Sequence, residues 1–446
     1  MEVILASSSV DGGIGCWELE TGTERLRYKS CASPPHGLVC VGHRFLASSQ
    51  LRDSSLSSGF LLYWSCSKPQ IQVMSFPAEP IKPLAANHPG TYIAGGGLSG
   101  HIYLWEVESG RLLKKWHAHY RSVTCLVFNE DDSLLISGSE DGSVRVWNLF
   151  MIFDDLRTRE ANHLYEHSFS EHTMQVTDVA IGYGGCNAII VSASEDQTCK
   201  VWSLSSGKLL RSVVFPSITD VIALDPAEQF FFAGSRDGKI FIAALNAESV
   251  SKSEYGLHIL DSFSNHSKAV TSLTYAPSGN FLISGSEDGM IRVWNAKTHN
   301  IVRMFKHGKG PVNNVLVVRQ QLDLSNQISL NLQTCSRKQG SLLPLPLEKY
   351  TNSTDEDPDV KTLVSLQGGI SIDVSYRSAD LIFNQIKELQ GSSAATELEM
   401  EKLKLDYNKS MHMVNRWKKM YENLQQFCVN ELLDGGKAGT ADENGN

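Results

Sequence analysis

The chain has 446 residues, 41% of them apolar, 9% aromatic and 20% charged, which is enough apolar material for a large core and excludes wholesale disorder. Forty Lys and Arg stand against 49 Asp and Glu, a net charge of -9. The whole chain therefore lacks the basic excess of a stand-alone, nonspecific nucleic-acid binder.

The N-terminal stretch MEVILASSSVDGG has neither the basic region nor the length of a signal peptide. No later stretch reaches the roughly 18 to 20 apolar residues of a membrane span. Nine cysteines, from Cys16 to Cys428, include no Cys-x-x-Cys pair, which predicts reduced thiols rather than a disulfide framework. The expectation is a soluble intracellular protein with no membrane partner, no cofactor and no metal.

Three segments nearly copy one another: SGSEDGSVRVWN at 137–148, SASEDQTCKVWS at 192–203 and SGSEDGMIRVWN at 284–295. Each has an Asp six residues before a Trp. The same register places Asp11 before Trp17, Ser58 before Trp64, Ser99 before Trp105 and Asp237 before Ala243. Seven units result, and a period near 40 to 45 residues is the signature of four-stranded propeller blades. In the fourth unit, VTCLVF (123–128), LLIS (134–137) and SVRVW (143–147) have strand length and strand composition. Asp141-Gly142 between the last two fits a tight hairpin turn, because Gly takes positive φ without steric cost. A fourth strand follows each Trp, as in LLRSVVF (209–215) and IVRMF (301–305).

In these residues the chain resembles the WD-repeat family. That family's structural tetrad of His, Ser, Asp and Trp falls on His119, Ser137, Asp141 and Trp147. It recurs as His172, Ser192, Asp196 and Trp202, and as His266, Ser284, Asp288 and Trp294. The sixth unit lacks both His and Trp. The first unit begins at its second strand, so its missing strand must come from the far end, where residues 312–318 have the right pattern. Closure of this kind leaves no open sheet edge. The fold class is thus all-β: a seven-bladed WD-repeat β-propeller over residues 1–348, with a C-terminal α-helical, coiled-coil-like extension. ISLNLQ and SLLPLPL form a strand-like appendage ending near residue 348.

Residues 349–376 read as an acidic linker with room for one more strand pair, and 377–433 turn helical. Within them Met400, Leu403, Tyr407, Ser410, Val414, Trp417, Tyr421, Leu424 and Cys428 recur at steps of three and four, a heptad seam. Leu403, Tyr407, Val414, Trp417, Tyr421 and Leu424 are its candidate dimer- or partner-binding residues, and the alternative is a helix folded back on the side of the propeller. The last residues, 434–446, have the composition of a disordered tail. Asp355-Glu356-Asp357 next to Ser353 and Thr354 allows acid-directed phosphorylation, although a solvated loop explains the run as well.

Enzymatic signals are sparse. No phosphate-binding Gly-rich loop and no nucleophile elbow occur. His163-Leu164-Tyr165-Glu166-His167 matches HxxEH, in which two His one helical turn apart can share a zinc with the Glu as base. It lies in an insertion, about 149–171, read instead as a surface helix with solvated His. Lys114-Lys115, Lys306-His307-Lys309 and Arg416-Lys418-Lys419 are basic groups that suit RNA phosphates within a larger assembly, or plain surface solubility.

ILASSSVDGGIGCWEL, GGGLSGHIYLWEVESGRLL, the insertion ending in HTMQVTDVAIGYGG, LPLPL after the ring and the heptad helix together resemble the family of WD repeat-containing protein 18, whose plant type is Root Initiation Defective 3. The resemblance implies a non-enzymatic scaffold subunit of the rixosome, in the nucleolus and nucleoplasm, acting in large-subunit assembly and pre-rRNA internal spacer processing. It further implies an armadillo-like scaffold protein, the AAA ATPase of the pre-60S particle, the pre-60S particle itself and a second copy of the chain as partners, with indirect RNA contact open and direct contact not decided. The alternative is a substrate receptor of a cullin-type ubiquitin ligase. That class carries Trp-Asp-x-Arg, whereas Trp147, Trp202 and Trp294 are followed by Asn148, Ser203 and Asn295.

Overall fold

The computed structural model describes residues 2–10, 12–51, 59–153, 164–245, 258–308, 310–319 and 344–350. The heptad seam, the acidic linker with Ser353 and Thr354, the C-terminal tail, ISLNLQ, Asp11, Ser58, His163 and Lys309 lie outside them.

Seven antiparallel four-stranded sheets form a β-propeller. Blade four shows why each sheet stops where it does. Val123–Phe128 turns at Asn129-Glu130-Asp131-Asp132 into Leu134–Ser139, and Asp141-Gly142 turns that strand into Val144–Asn148. Gly142 has φ 78, and a Cβ there would sit 2.9 Å from the carbonyl oxygen of His172, so Gly suits this position best.

Strand faces alternate between neighbouring blades, so each apolar cluster spans two sheets. Leu104 and Trp116 of blade three pack with Leu126, Leu135 and Trp147 of blade four. Blade six replaces the Trp with Ala243, and Phe215, Phe231 and Phe241 pack in the same cluster, with the Phe231 and Phe241 ring centroids 6.3 and 5.6 Å from that of Phe215. Neighbouring blades are also tied through their innermost strands. Thr177 donates to the Thr219 carbonyl at 2.8 Å, and Asp178 accepts the Ile222 N–H at 2.8 Å. Ser272 accepts the Val315 N–H at 2.8 Å in the same way.

The ring is closed by Val312–Arg319, which pairs antiparallel with Glu2–Ser8 from Glu2↔Arg319 to Ser8↔Val312, with a bulge between Ser7 and Ser8. Asn314 reinforces the seam, donating to the Ser7 hydroxyl at 3.1 Å and the Pro34 carbonyl at 2.8 Å.

Two expectations need correction. The HxxEH stretch is not a surface helix: Tyr165–Phe169 is the fourth strand of blade four, pairing Trp147↔Tyr165 and Val144↔Phe169. Val144–Asn148 needs an outer partner, and the aromatic alternation of Tyr165 and Phe169 supplies it. Successive strand residues point to opposite faces, so Glu166 and His167 lie on opposite sides of the sheet, and the helical spacing that the motif needs is absent.

The second correction concerns SLLPLPL. Its described part, Pro344–Leu347, joins no strand ladder, because prolines at 344 and 346 remove two of the donors a ladder needs. It crosses blades two and three as an extended strap. Leu347 is buried among Val41, Leu61, Tyr63, Trp105 and Leu112. Its N–H donates to Ser75 at 3.0 Å, and the Glu348 N–H donates to the Gly110 carbonyl at 2.8 Å.

Candidate functional site

In blade four the chain of donors runs inward to outward. The Trp147 indole N–H donates to Ser137 Oγ at 2.8 Å, and that hydroxyl lies 2.6 Å from His119 Nε2. His119 Nδ1 lies 3.3 Å from Asp141 Oδ2. Since Ser137 Oγ already accepts from the indole, its proton goes to Nε2, and Nδ1 carries the hydrogen that faces Asp141. Blade five repeats the geometry, with Trp202 to Ser192 at 2.9 Å, Ser192 to His172 at 2.8 Å and His172 to Asp196 at 3.0 Å. Blade seven has the corresponding distances of 2.8, 2.7 and 3.1 Å through Trp294, Ser284, His266 and Asp288, with Arg292 against both His266 and Asp288.

Burial holds the His119 and His172 imidazoles below their usual range, against the opposing pull of Asp141 and Asp196. Burial, with the Arg292 charge next, pushes His266 down to about 4. Burial alone would raise the three carboxyls. Hydrogen bonds outweigh it: from His119 and Ser143 on Asp141, from Thr198 and His172 on Asp196, and from the Met290 N–H, Arg292 and His266 on Asp288. The imidazoles are thus neutral at pH 7, and the pairs act as hydrogen bonds rather than ion pairs. With both ring nitrogens engaged and the His119 and His266 side chains fully buried, these groups are committed to holding the blade together.

What the tetrads present to solvent is the residue after each His. Asp141 accepts the Tyr120 N–H and Asp196 the Thr173 N–H, both at 3.1 Å. The two loops flank a depression lined by Arg121, Glu140, Met174, Gln175 and Glu195 as well as Tyr120 and Thr173. Tyr120 is 82% exposed and Met174 51%. Around them Lys82 pairs with Glu140 at 3.1 Å, and Arg236 bridges Glu195 and Asp220. A rigidly held aromatic and a thioether inside a charged rim suit protein contact.

Loss of this support has a measurable cost. Asp141→Ala leaves His119, the Tyr120 N–H and Ser143 without their acceptor, and is expected to destabilise the protein by about 1 to 3 kcal/mol. A chemical-denaturation midpoint equal to that of the unaltered chain rules out this role for Asp141.

Sequence reasoning missed the way blade three satisfies its Trp. Gly95 stands ten residues before Trp105, where the tetrads have Ser, and a Cβ there would lie 2.9 Å from both Ile81 and the Trp105 ring. With no hydroxyl, the Trp105 indole donates to the Glu348 carbonyl of the strap at 2.9 Å. Glu79 accepts from Tyr103 at 2.8 Å and from the Ser99 N–H at 2.9 Å. The signal was present in Gly95 itself, which leaves an indole without an acceptor in its own blade. His307 also differs from its reading as part of a surface basic group: it is fully buried, with Nε2 3.2 Å from the Ala6 carbonyl. Lys115, by contrast, is exposed and lies over the Tyr103 ring, 5.0 Å from its centroid. Among the described residues no group of three or more His, Cys, Asp or Glu is arranged to hold a metal, and no helix is long and apolar enough to cross a membrane.

The WD domain, G-beta repeat family matches residues 110–148, 164–203 and 258–295. Protein ROOT INITIATION DEFECTIVE 3 of Arabidopsis thaliana is 54% identical over 444 residues, covering 98% of this chain and all of that protein. The chain belongs to the WD repeat-containing protein 18 and ROOT INITIATION DEFECTIVE 3 family. WD repeat-containing protein 18 of Homo sapiens is 33% identical over 327 residues, 71% of this chain and 73% of that one. Pre-rRNA-processing protein IPI3 of Yarrowia lipolytica is 26% identical over 361 residues, 78% of this chain and 82% of its own. Family members thus share with this chain a stretch long enough to hold the whole ring.

Proposed function

We propose that this chain is a scaffold subunit of a nuclear complex that processes pre-rRNA and assembles the large ribosomal subunit, the rixosome. The similarity to a pre-rRNA-processing protein along most of both chains carries the reading. The geometry supports a scaffold rather than a catalyst, because the tetrads spend their His and Asp side chains on internal bonds and leave a rigid face displaying Tyr120 and Met174. An armadillo-like scaffold protein and the AAA ATPase of the pre-60S particle are the partners this role calls for. The seam of Leu403, Tyr407, Val414, Trp417, Tyr421 and Leu424 pairs two copies, since a heptad repeat of apolar residues favours packing against a second helix of the same kind.

Affinity purification at native expression tests the role. Large-subunit assembly factors are expected to co-purify, and a cullin adaptor in their place overturns the reading. Truncation after residue 395 is expected to halve the mass measured by light scattering while leaving the melting transition of the ring in place. An unchanged mass removes the self-pairing role from the seam.

A further inference from the structure

A row of rings interrupted by a guanidinium crosses the junction of blades three and four. In blade three His101–Glu106 pairs with Leu112–His117, His101 opposite His117 and Tyr103 opposite Lys115, so these side chains share one face of the sheet. The His101 and His117 ring centroids lie 5.2 Å apart at 86°, and Tyr120 continues the row 6.0 Å from His117 at 69°. Arg145 of blade four comes next, its Cζ 5.9 Å from the Tyr120 ring centroid and 5.1 Å from that of Tyr165. Lys115 stands beside the row, over the Tyr103 ring.

The row is held from behind. Ser99 Oγ lies 2.7 Å from His101 Nδ1, the Tyr120 N–H donates to Asp141 at 3.1 Å, and Arg145 donates to the Ala118 carbonyl. Lys115, His117, Tyr120 and Arg121 are exposed, so its centre is open to solvent. The acids nearby are spent on other groups. Glu79 accepts from Tyr103 and the Ser99 N–H, Glu140 pairs with Lys82, and Asp141 belongs to the tetrad. Lys115, Arg121 and Arg145 pair with no carboxylate among the described residues. Burial, with the Lys115 charge next, holds the His101 imidazole below its usual range. Its ring is therefore neutral at pH 7, and the positive charge comes from the Lys and Arg side chains.

We propose that this row is a binding surface for single-stranded RNA, with bases laid on His117 and Tyr120 and phosphates held by Lys115 and Arg121. Ring faces alternating with cations match a strand that alternates bases with phosphates. An unpaired strand fits and a duplex does not, because bases inside a duplex stack on one another and offer no free face. The choice of RNA over DNA rests on the pre-rRNA reading above, whereas the row itself asks only for unpaired bases on a phosphate chain. Arg145 keeps Tyr120 in place from the blade-four side. Tyr120 and Arg121 also line the depression with Met174, so the RNA path ends where the protein-contact face begins.

The test uses the full-length protein and fluorescein-labelled oligouridylate of about 10 nucleotides, read by fluorescence anisotropy. Affinity is expected to fall with salt, at a slope of about -1.4 in log K against log salt for Lys115 and Arg121 together. Tyr120→Ala is expected to weaken binding about 5- to 100-fold and leave the slope unchanged. Lys115→Ala is expected to remove about 0.7 from the slope. Lys208→Ala makes the same change of charge on the exposed outer strand of blade five and is expected to alter neither quantity. Equal melting midpoints for the three variants and the unaltered chain show that each loss is one of binding and not of folding. A strand carrying 4-thiouridine is expected to cross-link, under ultraviolet light, to the peptide holding His117 and Tyr120. No binding at about 50 mM salt, an equal loss in Lys208→Ala, or cross-links confined to other peptides each overturns the proposal. Polyglutamate competing as well as unlabelled RNA also overturns it and assigns the row to an acidic protein. Tighter binding of the deoxy strand overturns the choice of RNA. Co-purification of assembly factors is read separately, so failure here leaves the scaffold role standing.

Discussion

A chain ending at residue 311 is expected to lose its cooperative melting transition and to aggregate, whereas one ending at residue 350 keeps the transition. The shorter chain lacks both the strap at 344–350 and the closing strand, and the strand is the larger loss. Without Val312–Arg319, Glu2–Ser8 becomes an open sheet edge carrying Val3, Ile4, Leu5 and Ala6, none more than 4% exposed in the closed ring. Val312 and Val315 also leave the cluster they share with Ile4, Trp17, Ile283 and Val293. Each buried aliphatic side chain contributes about 1.5 to 3 kcal/mol, and each buried backbone group left unpaired costs about 1 to 3 kcal/mol. With a whole ladder undone, the sum exceeds the roughly 5 to 15 kcal/mol that holds a typical domain together. Differential scanning fluorimetry and size-exclusion chromatography read both effects. A single transition at the same temperature in the shorter chain refutes the closure argument.

This seam was legible in the sequence because it follows from counting. Seven copies of a local pattern and one missing strand leave a single place for residues 312–318, and the structure places Val312–Arg319 there. Local signals served equally well inside a blade. Asp141-Gly142 fixes its turn through a positive φ that Gly takes without steric cost, and the strand runs of the fourth unit fall within a residue or two of the observed bounds. What failed was either ambiguous in period or distant in sequence. Tyr165, Glu166 and His167 satisfy a metal-binding pattern only if they are helical, and the demand of Val144–Asn148 for an outer partner decided for a strand. The strap joins Trp105 to Glu348 across 243 residues, and no periodicity reports such a bond. His307 looked basic and exposed beside Lys306, yet tertiary packing against Ala6 and Trp17 buries it completely.

The second large effect concerns acid. Folding stability is expected to be complete above pH 6.5 and to fall steadily as the pH drops toward 4. In the unfolded chain His266 takes up a proton near 6.5, whereas in the folded blade burial and Arg292 delay uptake until about 4. Between those values the unfolded state binds the proton and the folded state does not, so lowering the pH favours unfolding. The 2.5-unit gap, at about 1.4 kcal/mol per unit, amounts to roughly 3 kcal/mol from His266 alone. His119 and His172 are shifted in the same direction by burial and add to the loss. The carboxyl partners do not contribute within this window: Asp141, Asp196 and Asp288 are held below their ordinary 3.8, so their share is lost only as the pH falls below that value. Denaturation midpoints at pH 7.5, 6.5, 5.5 and 4.5 separate the two groups. His266→Gln is expected to start less stable at pH 7.5 and to lose less on the way to 4.5, because its blade no longer contains an imidazole to protonate. If the unaltered chain is equally stable at pH 6.5 and 4.5, the neutral imidazoles are not what acid attacks, and the hydrogen-bond assignment within the tetrads fails with them.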